Sequence, residues 1–237
     1  MRRLSDVDEL LDGPLDDPAA LRGNLHDLAR VNRRLGGVAM SIRAVDALAG
    51  DRSSLDVVDV GTGAADIPVA LLDHAARTGR TWRVTGVDSR PEILAAAAAG
   101  DPRLTATPGL SLHVGDGRGL PFADGAFDVA HTSLVIHHLE PDAVVLLLRE
   151  MARVARLGVV ANDLVRGRLA LAGAWALTRV ATRNRYTRHD APLSVRRAYT
   201  RAELDALVAD AGLTVVDRFD GFIGHRRAIT AVRSGAA

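Results

Sequence analysis

The chain has 237 residues and a formal net charge of +1, so no strong general field favours nucleic acid or a membrane surface. It holds no Cys, which excludes a disulfide framework, thiolate-bound zinc and a thiol nucleophile. All of its Lys+Arg residues are Arg, which excludes Schiff-base lysine chemistry and a P-loop lysine.

The length predicts one large domain, or one domain with an added subdomain. The opening Met1-Arg2-Arg3-Leu4-Ser5-Asp6 turns acidic at once and lacks an apolar core, so no signal peptide is expected. Apolar runs such as Leu169–Leu177 are short and flanked by Arg, so a soluble cytoplasmic protein is expected. Arg and Ala richness without Lys suggests a GC-rich bacterial genome.

Asp12-Gly13-Pro14 and Asp17-Pro18 are turn signals, and residues 1–20 read as a loosely held arm with one short helix. Leu21, Leu25, Leu28, Val31 and Leu35 recur at helical spacing; Gly36-Gly37 interrupts, and Ile42, Val45 and Leu48 resume the pattern. From Leu55 onward strands and helices alternate, which argues for a mostly parallel sheet covered on both faces. Strands are predicted at about 55–60, 82–87, 110–114, 127–130 and 158–163, with helices at about 64–78, 91–100 and 141–156. Residues 164–199 break the alternation with a helical run at 164–180 and an Arg-rich segment to Tyr199. Thr200 with Glu203 reads as a capping box, and residues 213–219 and 227–232 as a terminal hairpin with a long connection.

Ligands of open parallel sheets bind outside the C-terminal strand ends. Gly61 and Gly63 follow the first strand, where glycines let backbone N–H groups approach a ligand closely. Asp88 ends the second strand, where a carboxylate can accept ribose hydroxyls. Asp116 follows the third, His131-Thr132-Ser133 the fourth and Asp163 the fifth. At the sixth position of a dinucleotide fingerprint stands Asp66, not Gly, which argues against a nicotinamide-dependent oxidoreductase.

The motifs Val58-Asp59-Val60-Gly61-Thr62-Gly63, Thr85-Gly86-Val87-Asp88, Val114-Gly115-Asp116-Gly117, Leu120-Pro121-Phe122, Phe127-Asp128-Val129 and Leu134-Val135-Ile136-His137-His138-Leu139 occur in that order. With them the chain resembles the class I S-adenosylmethionine-dependent methyltransferases, and within these the quinone-biosynthesis and natural-product O-methyltransferases. Ala65 departs from the pattern, since many members carry a third glycine there. The resemblance implies an α/β, Rossmann-like, seven-stranded, mostly parallel sheet with helices on both faces. It implies a helical arm covering the cofactor at residues 1–50, a methyltransferase domain at 51–237, and an acceptor lid at 164–199. S-adenosylmethionine would be held by Asp59, Gly61, Thr62, Gly63, Asp88, Ser89, Asp116, Gly117 and His131. Asn32–Gly37 would close over it.

Methyl transfer to a hydroxyl needs a proton acceptor, because an ordinary phenol ionises near pH 10, and histidine suits that task. The resemblance implies His137 as general base, oriented by Asp163; two structural histidines remain the other reading. His189, beside Asp190, is a second candidate. His138, Trp175, Tyr186, Arg188 and Asp190 are candidates for contact with a small-molecule acceptor. The Arg-rich run fits a carrier-bound or acidic acceptor, or a solvated helix face. It lacks interleaved aromatics, so no nucleic-acid partner is expected. Asn162-Asp163 has no second carboxylate–Asn cluster to support a metal, and none is expected. C-methylation, a protein that binds the cofactor without catalysis, and a homodimer stay open.

Overall fold

The computed structural model describes residues 1–5 and 7–235. Five strands, β1 (Ser54–Val60), β2 (Thr81–Asp88), β3 (Leu110–Val114), β4 (Phe127–Ser133) and β5 (Ala155–Leu164), pair in parallel. The hairpin β6 (Leu213–Asp220) and β7 (Arg226–Arg233) adds two antiparallel strands, giving the order β3-β2-β1-β4-β5-β7-β6. The order reverses at β1, and β1 and β4 part their connections there. The crevice this opens at the C-terminal strand ends is where such sheets hold ligands. The central strands are near-continuous runs of buried Val and Ala, as expected of strands covered on both faces.

Helices α6 (Pro141–Val154) and α9 (Arg201–Asp210) pack one face through Val144, Leu147, Leu148, Met151, Leu204 and Leu207. Helices α2 (Gly37–Ala49) and α3 (Asp66–Arg77) pack the other through Met40, Val45, Ile67 and Leu71. Helix α1 (Pro18–Arg34) shares a cluster with α3, α4 (Pro91–Gly100) and the one-turn α5 (Arg103–Ala106) through Leu21, Leu25, Val69, Ile93 and Leu104.

The third strand matches its expected bounds, and the Thr200–Glu203 capping box forms in full. One segment gains its bounds and two readings are corrected. The Arg-rich segment is a helix, α8 (Arg185–Arg197), joined to α7 (Arg168–Ala181); Asn184 Oδ1 caps it by accepting from Tyr186 N and Thr187 N. The hairpin connection is short, spanning residues 221–225. The N-terminal arm is not loose. Asp190 accepts the Leu10 and Leu11 N–H groups at 2.8 and 3.1 Å, Leu4 N donates to Arg196 O, and Arg197 Nη1 donates to Val7 O at 2.7 Å.

Candidate active site

The β1 corner is built from backbone conformations that favour glycine. Gly61 has φ +74° and Gly63 φ +52°. Ala65, at the position of the missing third glycine, also takes φ +54°. It holds a left-handed conformation that costs a residue with a Cβ about 1–2 kcal/mol. Leu134, just past β4, is the other non-glycine there among the described residues, at φ +59°.

This corner forms one wall of a cavity of about 950 Å³. Gly61, Thr62, Gly63, Asp88, Ser89, His137, His138 and Asp190 line it, together with α1 and the start of α2. Asp88 sits where β2 ends. Its Oδ2 accepts from Gly63 N at 3.0 Å and its Oδ1 from Arg90 N at 3.0 Å, which ties the second strand end to the glycine corner. Burial raises its pKa, and the same cause raises that of Asp66 at the start of α3.

A second wall carries the histidines. They stand in a single 3₁₀ turn, Ile136–His138, between β4 and α6. His137 Nδ1 lies 2.6 Å from Asp163 Oδ1, and His137 N donates to Asp163 Oδ2 at 3.3 Å. Burial alone would raise Asp163, but the charge of His137 and its hydrogen bond hold it below the ordinary carboxylate value. An ionised carboxylate can only accept, so Nδ1 carries a proton, and in the neutral imidazole the lone pair is then on Nε2. Arg197 on α8 braces the turn from behind, donating through Nη2 to His138 O at 2.6 Å and through Nε to His137 O at 3.3 Å. This arginine of the Arg-rich run is 6% exposed, so there the solvated-face reading fails.

Sequence reasoning missed two residues at this site. Glu9, from the arm, lines the cavity, and its Oε1 lies 3.8 Å from His137 Nε2. Burial pushes its pKa up to about 7. Arg226, from β7, also lines the cavity. It donates to Asn162 Oδ1, Asn32 Oδ1 and Ser133 Oγ at 2.6, 2.7 and 2.6 Å, and burial lowers its pKa to about 10.

Asp59 lines the cavity beside Gly61, while several other candidates stand elsewhere. His131 is fully buried; its Nδ1 is 2.6 Å from Asp59 Oδ1 and its Nε2 2.7 Å from Ser41 Oγ, so it joins β1 to α2 instead of facing the cavity. Asp59 also accepts from Thr62 Oγ1 at 2.7 Å, so its carboxylate stiffens the corner. Asp116 is paired with Arg118 at 2.8 Å at the surface, and neither it nor Gly117 lines the cavity. His189 is half exposed, with Nδ1 2.8 Å from Asp190 Oδ1, and lies off the cavity. Trp175 points outward at 55% exposure beside Arg179. Tyr186 is buried off the cavity wall, and Arg188 donates to the Thr182 and Arg179 carbonyls. None of the helices among the described residues is long and apolar enough to cross a membrane.

Residues 57–158 match the family model described as a methyltransferase domain. The chain is 31% identical over 102 residues to an uncharacterised methyltransferase of Synechocystis, covering 43% of this chain and 42% of that protein. It spans about half the length of the curated relatives it matches. Among solved structures it resembles a SAM-dependent methyltransferase from Aquifex aeolicus at a TM-score of 0.63 and 18% identity, covering 91% of this chain and 97% of that one. It also resembles an O-methyltransferase family 2 protein from Planctomyces limnophilus in complex with apigenin, at a TM-score of 0.66 and 20% identity, covering 92% and 62%. At these identities the two structural likenesses are of fold.

Proposed function

We propose that this chain is a class I methyltransferase dependent on S-adenosylmethionine and moves the methyl group to the hydroxyl of a small phenolic, polyketide or quinone-like acceptor, with His137 as general base. The observation that carries the reading is the His137–Asp163 pair in the wall of the cavity that the glycine corner and Asp88 also line.

The cavity suits the donor. Each Asp88 oxygen accepts one backbone N–H and keeps a lone pair for ribose hydroxyls. A Cβ built on Gly63 would meet nothing within 4 Å, so the corner leaves room for close approach. Asp66, Asp88, Glu9 and Asp190 make the walls rich in carboxylates, which suits a cationic ligand. Gly61–Gly63, Asp88 and Ser89 would hold it. The adenine role expected of Asp116 requires that carboxylate to leave Arg118. Bound there, the cofactor supplies an electrophilic methyl group on a sulfonium.

This chain's residues then have three tasks. The cavity walls exclude water and set the acceptor in line, and such orientation lowers barriers by about 7–11 kcal/mol. His137 takes the hydroxyl proton at Nε2, and Asp163 steadies the imidazolium that results. The apigenin-bound neighbour, whose ligand is a phenol, supports a phenolic acceptor.

The test is His137→Ala, assayed for turnover on a panel of phenols and for cofactor affinity by calorimetry. Turnover should fall by about 10²–10⁴-fold with affinity little changed. Turnover equal to the parent chain removes His137 as the base.

A further inference from the structure

The methyl-transfer reading uses one of three convergent groups. Glu9, His137 and His138 share one wall of the cavity, and their ligand atoms lie within 4.8 Å of one another. His137 Nε2 is 3.8 Å from Glu9 Oε1, and His138 Nε2 is 3.9 Å from Glu9 Oε2. Each residue is also oriented from its far side. Asp163 Oδ1 accepts from His137 Nδ1 at 2.6 Å, Asp12 lies 2.9 Å from His138 Nδ1, and Ser194 Oγ donates to Glu9 Oε2 at 2.9 Å. With both Nδ1 atoms turned to carboxylates, the neutral imidazoles present their Nε2 lone pairs toward Glu9. Glu9 is 4% exposed, and its Oε1 has no hydrogen-bond partner. A buried carboxylate oxygen that faces imidazole lone pairs with nothing donating to it is costly, and a cation between them reverses the sign of that contact.

We propose that Glu9, His137 and His138 form a binding site for one divalent first-row transition-metal ion. Two imidazoles and one carboxylate, without thiolate, suit such an ion better than Mg²⁺ or Ca²⁺. Carboxylates on the far nitrogens, here Asp163 and Asp12, fix the tautomer and raise ligand basicity, the arrangement common around metal-bound histidines. Three protein ligands leave positions open toward the cavity. The inference goes beyond the methyl-transfer reading but shares His137 with it. A single lone pair on Nε2 holds either an ion or a proton, so His137 serves as base in the metal-free chain.

The test titrates Co²⁺ into the chelator-treated, tag-free full chain with no cofactor or acceptor present, read by visible absorption and calorimetry. One equivalent should bind, with the absorption of a site having fewer than six ligands. Glu9→Gln and His138→Ala, each checked for folding by circular dichroism, should weaken binding by about 100-fold or more, and Asp12→Asn by about 10–100-fold. Absence of one-equivalent binding, or Co²⁺ affinity unchanged in both folded Glu9 and His138 variants, overturns the site. Methyl transfer by the metal-free chain is a separate readout, so either reading can fail while the other stands.

Discussion

Arg226 Nη1 donates to Asn32 Oδ1 at 2.7 Å across 194 residues of sequence. The contact ties the last strand to the last turn of α1. It continues through Asn32 Nδ2 to Asp66 Oδ2 at 3.1 Å, and through Asn162 Nδ2 to Ser41 Oγ at 2.8 Å. Ser41, His131, Asp59 and Thr62 extend it to the glycine corner. One buried polar chain therefore fixes the cavity walls to one another. Arg226→Met would leave Asn162 Oδ1, Asn32 Oδ1 and Ser133 Oγ without their donor. At about 1–3 kcal/mol for each buried polar atom left unmet, the loss should be about 3 kcal/mol or more in urea unfolding. Arg226→Lys has no fork to reach three acceptors and should recover less than half of it. A Met variant within about 1 kcal/mol of the parent would show the network to be incidental.

The pair at His137 and Asp163 predicts a non-additive response. Asp163→Asn keeps the volume but can present an amide N–H to Nδ1, which favours the wrong imidazole tautomer. Turnover should drop by about 10²-fold or more, while KM for the acceptor and affinity for the cofactor stay near the parent values. Adding Asp163→Asn to His137→Ala should cost little further, because the carboxylate acts through the imidazole. Full additivity of the two losses in turnover would mean that Asp163 acts by another route.

The sequence made the sheet legible and hid its side-chain register. Strand β3 was readable to the residue because Gly109 and Gly115 punctuate it. The local pattern ends strand four near Ala130, but β4 runs on to Ser133, and its register sets His131 beside Asp59 on β1. Nothing local to His131 encodes that pairing, and it turns an expected cavity residue into a buried link. The bounds of helix α8 were hidden because its apolar face is short and Pro192 interrupts the pattern. Glu9 looked like one acid among several in a polar arm. Its importance comes from burial against a histidine 128 residues away, a property of the tertiary fold alone.

Asp220 predicts part of the acid response. Its carboxylate accepts from Arg227 at 2.9 and 3.0 Å and from Arg201 at 3.1 Å, and hydrogen bonding to Arg227 holds its pKa down at about 2. A carboxylate depressed in the fold stabilises it above the unfolded value of about 4, and that contribution is lost as pH falls from there to about 2. Asp220 is 43% exposed, so solvent screening limits the effect to about 1 kcal/mol or less. Asp220→Asn should therefore be slightly less stable than the parent at pH 7, and the gap should close near pH 2. Asp66 and Asp88 have the opposite sign: raised by burial, they bind protons in the fold first, so acidification relieves them. A gap for Asp220→Asn that persists unchanged to pH 2 would exclude the ion pair as its cause.

Gly61 predicts a rescue. A Cβ at this position would lie 2.2 Å from Val135 Cγ2, and the backbone there has φ +74°. Gly61→Ala therefore meets two separate penalties: about 1–2 kcal/mol for the left-handed conformation and about 1–3 kcal/mol for overpacking against Val135. Only the second depends on Val135. Gly61→Ala/Val135→Ala should thus regain the overpacking part in urea unfolding and remain below the parent by the backbone part. Cofactor affinity should follow the same order, since Gly61 and Val135 line one cavity. A double variant no more stable than Gly61→Ala would mean that the glycine is required by its backbone alone.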